Sequence, residues 1–134
     1  MNEMKPPLDA DTLRFDELTE KIIGCAYTVG NVLGVGFLEK VYENALAHEL
    51  RKAGVVVEQQ KSIQVFYDGI VVGDYTVDLL VQGSVLVELK VVRAFDEIHM
   101  AQCLNYLKAT GLKVCLLINF GTARVGVKRL VNRF

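Results

Sequence analysis

A chain of 134 residues with 51% hydrophobic and 23% charged residues has the composition of one globular domain, long enough to bury a core without disulfide or metal staples. Its formal net charge of -1 excludes the global basic surplus that usually marks a nucleic-acid binder. No apolar run approaches the roughly 20 residues of a membrane span, and Met1-Asn2-Glu3-Met4-Lys5-Pro6-Pro7 lacks the apolar segment of a secretory signal, so the expected location is the cytoplasm, with no membrane partner.

Residues 1–10 read as a flexible tail, because Pro6-Pro7 cannot start a regular element; residues 11–134 form the expected single domain. From Thr12 onward, Leu18, Ile22, Cys25, Ala26, Val29 and Leu33 recur at helical spacing, which predicts a helix over 12–32. Gly34-Val35-Gly36 breaks it. A second helical pattern, Leu38, Val41, Tyr42, Ala45, Leu46 and Leu50, stops at Gly54. Val55 to Tyr67 is rich in β-branched residues, and Asp68-Gly69 signals a two-residue hairpin before Ile70-Val71-Val72. That strand runs to Val81, turns through Gln82-Gly83-Ser84, and returns as Val85 to Val91.

Asp96 fits the N-cap of a helix carrying Ile98, Ala101, Leu104 and Leu107 and ended by Gly111. Val114 to Ile118 suits a strand buried on both faces, and Val125 and Val127 continue into a final strand. The order is helix, helix, three antiparallel strands, helix, strand, strand: an α/β domain. Cys25, Cys103 and Cys115 are odd in number and far apart, which argues against a disulfide framework or a zinc site and for reduced, buried thiols. Arg124, Lys128, Arg129 and Arg133 follow the last acidic residue, Glu97. This basic end fits either a rim around an acidic pocket or a solvated face.

The most apolar stretch, Val77 to Lys90, keeps three charges. Alternation puts Glu88 and Lys90 on one face of a strand. Asp78 and Glu88 lie equally far from Gly83, so they are expected as cross-strand neighbours with Cβ atoms about 4.5–5.5 Å apart. Two ionised carboxylates at about 5 Å repel by roughly 3 kcal/mol at an effective dielectric near 20. A divalent cation, a shared proton or Lys90 must offset that. Hard oxygen donors without His or Cys beside them favour Mg²⁺ or Mn²⁺, and Lys90 can hold a water or stabilise charge on a phosphate. The competing reading is an ion-pair cluster on a solvated sheet face, against which Leu80 and Leu86, on the charged side, argue that this face is covered.

An Asp followed about ten residues later by Glu-x-Lys on the next strand of a hairpin, Asp78 and Glu88-Leu89-Lys90, resembles the PD-(D/E)xK nuclease superfamily and its restriction-endonuclease-like fold. Gly36-Phe37-Leu38-Glu39-Lys40-Val41-Tyr42 is similar to the signature of the GxxExxY proteins within it, and Gln102-Cys103-Leu104-Asn105-Tyr106 resembles the Gln-x-x-x-Tyr motif of its RecB-like branch. Val77 stands where the superfamily's naming proline would be.

The resemblance implies a core of a central mixed sheet flanked by helices. It implies Asp78 and Glu88 as metal ligands with the Leu89 carbonyl as a third, Lys90 as the catalytic lysine, and Glu39 completing the metal shell directly or through water. Gln102 and Tyr106, four apart on one helix face, would meet Lys90, the metal water or the phosphate backbone. His99 is either a hydrogen-bonded helix histidine or a site residue. Tyr42 is a packed aromatic that supports Glu39, whereas Glu43, outside every motif position, is expected on the surface. The implied function is a Mg²⁺- or Mn²⁺-dependent nuclease cutting DNA, with RNA as the variant substrate. The alternative is a non-catalytic scaffold that keeps the fold, as a homodimer through an apolar edge or with a protein partner supplying substrate recognition.

Overall fold

The computed structural model describes residues 10–132; the expected tail lies outside them except for Ala10. Helix α1 (Ala10–Leu33) and helix α2 (Glu39–Lys52) precede strands β1 (Val57–Tyr67), β2 (Ile70–Val81) and β3 (Val85–Lys90); helix α3 (Glu97–Thr110) then leads to β4 (Val114–Asn119) and β5 (Gly126–Val131). The five strands lie in the order β1-β2-β3-β4-β5. All neighbours are antiparallel except β3 and β4, which are parallel because α3 carries the chain back across the sheet. This is the mixed α/β sheet flanked by helices that the resemblance implies.

Local chemistry accounts for the joints. Asp68 and Gly69 both take positive φ, 51° and 77°, as the tight hairpin requires. Gly54 and Gly111 end α2 and α3 in the left-handed region at φ 80° and 73°. Asp96 caps α3 through its side chain, which accepts from the Ile98 and His99 amides.

Two apolar cores sandwich the sheet. On one side Ile22, Ala26 and Val29 of α1 and Leu46 and Leu50 of α2 meet Val87, Leu89, Leu116 and Ile118. On the other, Cys103, Tyr106 and Leu107 of α3 cover Leu80, Leu86, Cys115 and Leu117. The face bearing Leu80 and Leu86 is therefore covered, as their apolarity indicated. β3 and β4 are closed in from both faces, and all six β4 residues are buried, which explains an unbroken apolar run instead of an alternating one.

One departure from strict alternation sets up everything that follows. Leu79 and Val81 pack against α1 and α2, while Val77 and Leu80 pack against α3. Residues 77 and 80 thus share a face although they are three apart. On β1 the same happens: Val57 and Ile63, of equal parity, enter opposite cores. The flip falls at Gln60, whose φ of 52° is left-handed, and at Asp78, and the ladder between Gln59↔Leu79 and Lys61↔Val77 skips that pair. Each strand spends one residue on changing phase.

Beyond the end of β3, Gly121 lies so close to the chain that a Cβ there would collide with the backbone of Val92, whereas Gly24, within α1, has open space around it. Gly121→Ala is expected to destabilise by about 1–3 kcal/mol through overpacking, and Gly24→Ala to stabilise by about 0.5–1 kcal/mol through helix propensity. Urea unfolding of the two variants checks both signs.

Candidate active site

The site forms where β2 leaves β3. Their ladder runs Val81↔Val85, Leu80↔Leu86, Leu79↔Val87 and stops. The next pair is Asp78 and Glu88, the one symmetry about Gly83 predicts, but it is not a regular ladder pair. The Leu89 amide donates to Asp78 Oδ2 at 2.8 Å, and the Asp78 amide donates to Glu88 Oε1 at 3.3 Å. The side chains thus take over the hydrogen bonds that strand carbonyls would have made. The expected cross-strand contact is present, reached through a parting of the strands in place of a flat ladder.

Two carboxyls in contact, one of them buried, do not both hold full charge. Glu88 is only 4% exposed. Its carboxyl is pushed up to about 9, first by burial and then by the hydrogen bond to and charge of Asp78, against which Lys90 works. Of the three ways to offset the repulsion, the raised Glu88 carboxyl points to a retained proton in the metal-free protein. The Tyr106 hydroxyl reaches Glu88 and is itself raised by burial and by that carboxyl's charge. Lys90, half-buried at the end of β3, acts electrostatically on both Glu88 and Glu39. Glu39, at the first turn of α2, is raised by lost hydration and by Asp78, with Lys90 and His99 opposing. Behind them, Cys103 and Cys115 share a hydrogen bond that favours the Cys103 thiolate over that of Cys115; both are free and buried.

Glu43 is not on the surface. It is 2% exposed, and its carboxylate takes the Lys40 ammonium at 2.8 Å, the Gln59 amide at 2.7 Å and the Gln60 amide. The same Gln60 nitrogen reaches Asp78 Oδ1 at 3.2 Å. Gln60 thereby links α2 to Asp78, and its left-handed backbone aims it there. One signal for Glu43 was in the sequence: it stands three and seven residues before Leu46 and Leu50, on the buried stripe of α2. Gln60 gave none, because its role depends on the phase flip.

Asn119, also missed, is 3% exposed. It accepts from the Val92 and Gly121 amides at 3.0 and 2.9 Å and donates to the Val92 carbonyl at 2.8 Å. With the Phe120 amide bonded to the Lys90 carbonyl at 2.9 Å, this staple fixes the exit of β3 and hence the stem of Lys90.

The remaining expected residues divide. His99 Nδ1 accepts from the Asp96 amide at 3.2 Å, completing a capping box. Tyr42 stacks on Phe120 with ring centroids 4.8 Å apart. Its hydroxyl donates to the Gly34 carbonyl at 2.6 Å and accepts from the Phe37 amide at 3.2 Å, so it ties the turn that launches α2 and does not bond Glu39. Gln102 and Tyr106 line one cleft beside the site.

A model of the PD-(D/E)XK nuclease superfamily matches residues 16–130 of this chain. The chain belongs to that superfamily. No curated protein matches it. Among solved structures it is similar to SSO0001, at 16% identity and TM-score 0.55 over 91% of this chain and 61% of that one. The chain therefore spans about three fifths of that protein's length. It is also similar to an alkaline exonuclease of Laribacter hongkongensis, at 14% identity and TM-score 0.48 over 85% and 82% of the two chains.

PD-(D/E)XK nucleases generally use divalent metal ions. The donors here fit one: paired carboxyl oxygens that cannot both ionise alone are what a cation relieves. Among the described residues no group of three or more His, Cys, Asp or Glu side chains is gathered for a metal.

Because folding raises Glu88 from 4.5 to about 9, the folded state holds a proton that the unfolded chain releases. The contribution of Glu88 to stability is therefore fully present below pH 4.5 and is lost as pH rises toward 9. Thermal unfolding of the metal-free protein should show this decline, and Glu88→Gln should flatten it.

Proposed function

We propose that this domain is a divalent-cation-dependent nuclease that hydrolyses phosphodiester bonds of DNA, and that it belongs to the GxxExxY branch of its superfamily. The observation that carries the reading is the contact of Asp78 and Glu88 at the strand break, where the Asp78 amide donates to Glu88 Oε1 at 3.3 Å and the Leu89 amide to Asp78 Oδ2 at 2.8 Å, with the Lys90 ammonium close enough to act on Glu88.

Asp78, Glu88 and the Leu89 carbonyl would hold Mg²⁺ or Mn²⁺, with Glu39 engaged through water. When bound, the cation lowers the pKa of a water and neutralises charge on the phosphate. The rest is work of the chain. Gln60 and the Leu89 amide fix Asp78, leaving it little freedom to turn away. Tyr106 donates to Glu88 and holds its carboxyl in place. Lys90, whose backbone is anchored through Phe120 and Asn119, orients the attacking water and stabilises the charge that builds on phosphate oxygens. Tyr42 supports Glu39 indirectly, by fixing the start of α2. Gln102 contacts the substrate strand beside the site, and His99 completes the α3 cap.

The test is hydrolysis of labelled single- and double-stranded DNA and RNA at low salt with Mg²⁺ or Mn²⁺. Cleavage is expected to need the cation and to fall by about 10²-fold or more in Lys90→Ala. A cation-bound protein that cuts none of the four substrates would overturn the reading and leave a binding module.

A further inference from the structure

A cleft of about 290 Å³ opens between Tyr75 of β2 and α3, with Tyr106 joining it to the carboxylate site. Its helical wall is one stripe of α3, Ile98, Ala101, Gln102 and Asn105, and Tyr75 of β2 faces it across Tyr106. Tyr75 is 49% exposed, with its ring centroid 5.9 Å from that of Tyr106 at a tilt of 60°. No charged side chain lines the cleft. The amides of Gln102 and Asn105 form no side-chain hydrogen bond among the described residues, so both have their full set of donors and acceptors to offer.

An uncharged cleft with an open aromatic face and two unengaged amides is not built for a phosphate, which needs cations or clustered N–H donors. It is built for a flat, neutral, aromatic group whose edge mixes donors and acceptors. A nucleobase has that chemistry, and its face stacks on tyrosine without regard to sequence. The site's floor, Tyr106, is also the hydroxyl that holds Glu88, so a base seated here belongs to a nucleotide next to the bond being cut.

We infer that this cleft receives one unstacked nucleobase of the substrate strand, with Tyr75 stacking on it and the Asn105 and Gln102 amides bonding its edge. A base inside an intact duplex cannot present its face, so the substrate class is single strands, loops or frayed ends. The position next to the scissile bond rests on the nuclease reading; the base-binding chemistry of the cleft does not.

The experiment measures quenching of 2-aminopurine in a single-stranded oligonucleotide by the metal-free protein at pH 7, where no turnover competes. The intact protein should quench it and bind a matched duplex more weakly. Tyr75→Ala and Asn105→Ala should each weaken binding by about fivefold or more, on the scale of one stacked base, while Tyr75→Phe, which keeps the ring, should bind as the intact protein does. Binding that is absent, or equal in the intact protein and both alanine variants, overturns the inference. 2-Aminopurine riboside alone, if it quenched as tightly as the oligonucleotide, would contradict a strand substrate and assign the cleft to free nucleosides. Quenching without hydrolysis on any substrate would remove the nuclease reading and keep the base pocket; hydrolysis of duplex as fast as single strand, unchanged in Tyr75→Ala, would do the reverse.

Discussion

The structure turns on the point where β2 stops pairing with β3 and the Asp78 carboxylate, not a strand carbonyl, takes the Leu89 amide. A regular sheet would have pointed Asp78 and Glu88 at each other across a flat surface with nothing between the strands. Parting the strands opens a gap at the sheet, and the two carboxyls are bent into it. The break is offset locally: the Leu89 amide bonds Asp78 Oδ2 and the Asp78 amide bonds Glu88 Oε1, and among the described residues no buried side-chain nitrogen or oxygen lacks a partner.

That break needs support from both sides of the sheet. From the α2 side, buried Glu43 engages the Gln60 amide, and Gln60 passes the restraint to Asp78. From the α3 side, Tyr106 closes over Glu88. At the far end, Asn119 and Gly121 clamp Val92, and the strand carrying Lys90 cannot drift. The phase flip at Gln60 and Asp78 is what lets one acidic pair be gripped from both layers, since unbroken alternation would have given each strand's charged residues to a single face.

Much of this was legible in the chain. Helices α1 to α3 follow from apolar spacing with glycine stops and the Asp96 cap, and both hairpins follow from Asp68-Gly69 and Gln82-Gly83-Ser84, whose φ values the structure makes positive at Asp68, Gly69, Gln82 and Gly83. The contact of Asp78 with Glu88 follows from counting outward from Gly83. What was not legible depends on distance or on irregularity. Gln60 looks like any polar residue of an exposed strand until its backbone turns left-handed, and Asn119 looks like the end of a buried strand until Val92 is brought to it, 27 positions away in sequence. Glu43 was misplaced because a charge on a helix ordinarily faces solvent, and only its amide and ammonium partners make its burial tolerable.

The central claim is that the proton held between Asp78 and Glu88 occupies the place of a cation's charge. Calorimetric titration of the protein with Mn²⁺ at pH 7, repeated in two buffers of different ionisation enthalpy, counts the protons set free on binding. The account predicts release of about one proton per ion, because the cation must ionise Glu88, and no release from Glu88→Gln. Binding with no proton release in the intact protein would contradict it.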